Sequence, residues 1–66
     1  MEDYQKRVVD EKTALDEKIV RLGDFIVNSP VFATLVVHEQ TLLRDQLLHM
    51  QGYSDVLRDR IFMWEH

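Results

Sequence analysis

Between positions 3 and 27 the apolar residues return every three, four or seven places. Tyr4, Val8, Leu15, Ile19, Leu22 and Ile26 form one stripe at helical periodicity. At 100° per residue, Tyr4, Val8, Leu15, Leu22 and Ile26 fall within about 40° of arc of one another. Lys6, Asp10, Glu17 and Asp24 take the opposite side. The pattern predicts an amphipathic helix over about 3–27 with Asp3 as its N-cap. Glu2–Lys6, Asp3–Arg7 and Glu17–Arg21 run acid before base at i,i+4, the favoured order. Gly23 sits inside the pattern, either as a weak point or as a close helix contact.

Asn28-Ser29-Pro30 breaks the pattern. Ser29 is a capping residue and Pro30 suits the first turn of a short helix, where its missing N–H would have no partner anyway. Val31, Phe32 and Leu35 are placed to plug the closed end of a hairpin. Val36-Val37 is β-branched and stiff, so the connection over about 28–37 is expected to be irregular there. A second helix follows over about 38–64. Leu43, Met50, Leu57 and Trp64 are spaced by sevens, with Leu47, Ser54 and Ile61 as the companion row: an a/d seam. Ser54 is its small polar member, marking a close approach or a fixed register. Leu42, Gln46, Tyr53 and Arg60 widen this face along one flank. Two long helices of similar length and a short break predict an all-α antiparallel helical hairpin with a helical turn at the connection. The extra flank predicts assembly into an oligomeric bundle, with Leu43, Leu47, Met50, Tyr53, Leu57, Ile61 and Trp64 as interface candidates.

Size and composition strengthen the oligomer expectation. A chain of 66 residues is one domain and buries only about 60% of the surface its unfolded form exposes. Such chains lean on disulfides, a metal or self-association. Cysteine is absent, and His38, His49 and His66 are too scattered to hold a metal by spacing, so no cofactor is expected. A net charge of −4 with interspersed acids argues against duplex nucleic acid and anionic membranes as partners. The acidic opening Met1-Glu2-Asp3 and the absence of a long apolar run predict a soluble cytoplasmic protein.

No phosphate loop, His-Glu-x-x-His motif or nucleophile with a base is present, so the chain is not expected to be an enzyme. One constellation stands out. Arg7, Glu11 and Lys18 lie on the edge of the first stripe, about 40–80° from its centre, with Tyr4 one turn before Arg7. An aromatic ring beside Arg and Lys suits a nucleotide with its phosphates, and Arg60 or Tyr53 of a neighbouring chain would complete a composite pocket. Tyr4, Arg7, Lys18 and Arg60 are therefore the ligand-binding candidates. Flanking charges that pair with Glu11 or a neighbour's acid are the alternative. Phe62, Met63 and Trp64 form an apolar cluster that is either the sealed end of a core or a partner patch. His49 sits on the rim of the second stripe.

The stretch from Tyr4 to Ile26 resembles the opening of a family of short phage and prophage proteins named after a gene product of a crAss-like phage. Phe32, Leu35, Glu39-Gln40, Leu42-Leu43, Gln46-Leu47, Met50, Tyr53, Leu57 and Arg60-Ile61 continue the resemblance. Val36-Val37 departs from it, standing where a polar capping residue is expected. In size and hairpin style the chain is similar to the phage anti-CBASS and anti-Thoeris sponge proteins. Those assemble from helical hairpins and sequester cyclic nucleotide immune signals between subunits. The resemblance implies a phage accessory protein in the host cell cytoplasm, a homo-oligomer holding an anionic cyclic nucleotide. The alternative is a helical interaction module that binds and modulates a host protein.

Overall fold

The computed structural model describes residues 1–65, the last of them by its backbone; His66 lies outside the described residues. Helix α1 spans Asp3–Asn28, a short α2 spans Pro30–Thr34, and α3 spans Val37–Glu65. Helices α1 and α3 run antiparallel: Tyr4 near the start of α1 meets Trp64 near the end of α3, and Lys12 meets Ser54.

The start of α1 differs from expectation. Glu2 is the N-cap, because the Gln5 side chain accepts its backbone N–H at 2.9 Å and draws the helix boundary one residue earlier than Asp3. Ser29 then does two jobs. Its N–H closes the last turn of α1 on the Phe25 carbonyl, and its Oγ accepts the Val31 N–H at 3.2 Å to cap α2, with Pro30 in the first turn. The chain reverses without any left-handed residue among those described: Ser29 and Leu35 are both extended, and α2 fills the space between.

Phe32 is the buried plug of this closed end, packed edge-on against Phe25 with ring centres 6.0 Å apart. Leu35 is half-buried beside it, whereas Val31, expected to join the plug, points to solvent. Helix α3 already begins at Val37, the second of the two β-branched residues expected to stay irregular. Gln40 ties this start to α2: its Nε2 donates to the Phe32 and Leu35 carbonyls at 3.1 and 3.0 Å. The Phe32 carbonyl also accepts the Leu35 N–H at 3.1 Å, so Gln40 reinforces the end of α2, where carbonyls run out of partners within the helix.

The fully covered core is thin. Among the described residues only Val8, Phe32 and Leu57 are buried apolar side chains, with Leu57 just 1% exposed. The seam of α3 is used first within the chain: Leu43, Leu47, Met50, Ile61 and Trp64 are half-buried against α1. Of the interface candidates, Leu57 is thus covered without a second chain, while Tyr53 is left exposed. No helix among the described residues is long and apolar enough to cross a membrane.

Candidate functional site: a cationic and aromatic face

Two polar and aromatic contacts define the two sides of the hairpin. Antiparallel right-handed helices turn in opposite senses when viewed from one end. Positions displaced from the core line in the same rotational sense on both helices therefore fall on the same side. With Val8 and Leu57 as reference positions, Tyr4 lies about −40° around α1 and Trp64 about −20° around α3. Their rings meet edge-to-face, 5.8 Å apart. On the other side Lys12, Asp16 and Ser54 lie about +40°, +80° and +60°, and they meet as well. Lys12 Nζ donates to Asp16 Oδ2 and to Ser54 Oγ, both at 2.8 Å, and the Ser54 hydroxyl donates to Asp16 Oδ1.

This polar triad was only half visible in the sequence. Ser54, 6% exposed, does set the register, as its place in an otherwise apolar seam suggested. Its partners were missed because Lys12 and Asp16 run base before acid, against the order favoured for isolated helices. The acid-before-base pairs Glu2–Lys6, Asp3–Arg7 and Glu17–Arg21 are not made among the described residues, and Lys12–Asp16 is made instead. Hydrogen bonds from Lys12, then from Ser54, hold the Asp16 carboxyl below the usual carboxylate range. No buried side-chain polar atom among the described residues lacks a partner.

The ligand candidates fall on the Tyr4–Trp64 side. Arg7 and Lys18 lie about −100° and −80° around α1, and Tyr53 and Arg60 about −40° and −60° around α3. The register brings them level. Three residues on from Tyr4 is Arg7, and four back from its contact Trp64 is Arg60. Six on from Lys12 is Lys18, and five back from its contact Ser54 is His49. Tyr4, Arg7, Lys18, His49, Tyr53 and Arg60 are all exposed.

Three other cations are engaged elsewhere, while Lys6 and Arg21, farther round α1, make no ion pair among the described residues. Lys12 belongs to the triad, Arg44 lies 5.1 Å over the Phe32 ring, and Arg58 pairs with Asp55 and Asp59. Arg7, Lys18 and Arg60 make no ion pair or hydrogen bond among the described residues, and Glu11, on the same flank, pairs with none of them. Unpaired cations beside a tyrosine are free to take phosphate oxygens and a base face.

The Sequestin family model matches residues 2–63. The chain belongs to the Sequestin family. No curated protein and no solved structure matches it. The match to the Sequestin model covers α1, α2 and nearly all of α3, so both halves of the cationic and aromatic face lie inside it.

A single Sequestin-family hairpin offers this face open. Two depressions on it lie elsewhere: one at the open end between Met1, Gln5, Val9, Ile61 and Trp64, the other on the outer surface of α1 along Thr13, Asp16, Glu17, Val20 and Arg21. Neither includes Arg7, Lys18 or Arg60. At the carboxyl end Trp64 is half-buried on Tyr4, whereas Phe62 and Met63 stand exposed.

Proposed function

We propose that this protein is a non-enzymatic sponge, a phage accessory protein that sequesters an anionic cyclic nucleotide immune signal between copies of itself. The reading is carried by one observation: Arg7, Lys18 and Arg60, all without partners among the described residues, share a side of the hairpin with Tyr4 and Tyr53. Membership of a family whose name speaks of sequestration supports it. An open face on one chain becomes an enclosed site when a second copy covers it, and enclosure strengthens charge-assisted hydrogen bonds to phosphate.

Thermal unfolding in the presence of a cyclic nucleotide panel tests the reading. A ligand that binds only the folded protein adds about 2.7 kcal/mol at a hundredfold excess over Kd, an easily measured rise in Tm for a chain of this size. Arg7→Glu and Lys18→Glu should abolish the rise with helical content unchanged, because both side chains are exposed. Tyr53→Ala should weaken binding by the roughly 1–3 kcal/mol of a lost base stack. Tyr4→Ala should do the same and also lower the baseline Tm, because Tyr4 packs on Trp64. No rise with any nucleotide, alongside a host protein that co-purifies with the wild type and not with variants at Tyr53 and Arg60, would replace the sponge with an interaction module.

A further inference from the structure

The Tyr4–Trp64 side carries two features that oppose each other. Tyr4, Leu42 and Tyr53 expose about half of their surface there, with Val56 and Met63 just beyond. The hairpin measures 46 × 15 × 14 Å. One long side of the Cα trace, 46 by 15 Å, spans roughly 700 Å², so with its side chains it is large enough for the ~800 Å² that each partner contributes to a standard interface. Both the apolar residues and the area suit a second copy of the chain. The same side carries Arg7, Lys18 and Arg60, without partners among the described residues, against Glu11 and, as far round α3 as Met63, Asp45. A two-fold interface is self-complementary and uses the same patch from each copy. Pairing through this side therefore gathers three cations from each copy into one interface. Like charges that lose water without a counter-charge oppose association.

We propose that copies pair through this side and that an anion held between Arg7 and Arg60 supplies the missing counter-charge, so that self-association is switched on by the ligand. The proposal rests on the sequestering reading for the placement of the ligand and adds to it a mode of regulation. The empty protein is a weak dimer and the loaded protein a tight one. Linkage makes this reciprocal: whatever factor the anion adds to pairing, pairing adds to the grip on the anion. Arg7 and Arg60 are level across the hairpin, so their removal releases the repulsion where it is most concentrated.

The test is sedimentation equilibrium at micromolar protein, in sodium chloride and in sodium pyrophosphate of matched ionic strength. For the wild type, pyrophosphate should lower the monomer–dimer Kd at least tenfold. Arg60→Met keeps the bulk of the side chain and removes its charge. It should pair more tightly than the wild type in chloride, and pyrophosphate should change its Kd less than twofold. Leu42→Glu, on the same side, should abolish pairing in both salts, and circular dichroism should show all three proteins equally helical. A wild-type Kd indifferent to pyrophosphate, an Arg60→Met variant that pairs more weakly, or a Leu42→Glu variant that pairs normally would each overturn the proposal. A cyclic nucleotide that raises Tm while pyrophosphate leaves pairing unchanged would overturn the switch and spare sequestration; failure of both would remove both.

Discussion

Ser54 is the one polar side chain among the described residues that the hairpin fully buries, and it is held by two charged residues of the opposite helix. Ser54→Ala removes the hydrogen bonds to Lys12 and Asp16. Both partners keep some access to water, so the loss should fall toward 1 in the range of about 1–3 kcal/mol for an orphaned polar group, read from the urea midpoint. Leu57→Ala should cost more, about 2–5 kcal/mol, because Leu57 is the most completely covered side chain. Asp16 adds a pH dependence. Its carboxyl is depressed in the folded protein, so the stability it contributes is present above the unfolded value of about 3.9 and is lost as pH falls through the lower folded value. Urea midpoints between pH 6 and pH 3 should therefore fall more steeply for the wild type than for Asp16→Asn; equal slopes would show that the triad is not coupled to folding. At this scale the sequence showed Ser54 as an oddity in the seam but not its partners. Propensity rules for a lone helix rank pairs within one strand of chain, and Lys12 is oriented by a residue 42 positions away.

The elements themselves were legible, because stripe, break and seam are local signals. Where they begin and end was less so. Asp3 is the better intrinsic cap, yet Gln5 bonded to the Glu2 N–H moves the boundary to Glu2. A side chain reaching back from inside the helix is not weighed in a position-by-position reading. Gln40 is a similar case, a polar residue on α3 that finishes α2. The two readings of Gly23 are now separated. A Cβ built at Gly23 or at Gly52 meets nothing within 4 Å, so neither glycine marks a close helix contact within the hairpin. Gly23→Ala and Gly52→Ala should each raise stability by about 1 kcal/mol, the difference in helix propensity, measured by urea unfolding. Destabilisation by either would reveal packing that the single hairpin does not contain. Pro30→Ala should be mild, below about 1 kcal/mol, since Pro30 occupies a helix start capped by Ser29.

For the whole molecule the decisive features are length and thin packing. The chain exposes 5099 Å², against roughly 4,400 Å² for a compact monomer of 7.9 kDa. Val20, Val27, Leu48, Tyr53, Val56 and Met63 are among its exposed large apolar residues. Light scattering should therefore report a monomer–dimer equilibrium that moves toward dimer as concentration rises, and a strict monomer at every concentration would contradict the need for a partner. The ligand candidates on α1 were readable from a single helical wheel. That Tyr53 and Arg60 join them on the same side was not, because it depends on the handedness and register of the pair, which Tyr4–Trp64 and Lys12–Ser54 fix. The central claim is that the face they form holds an anionic cyclic nucleotide without altering it. Ultrafiltration of the protein with a cyclic nucleotide, followed by heat denaturation and chromatography of what is released, tests this directly. The account predicts that the nucleotide is retained with the native protein, is recovered chemically intact after denaturation, and passes freely through the filter with Arg7→Glu. Nucleotide that passes freely with the wild type, or returns linearised, would contradict it.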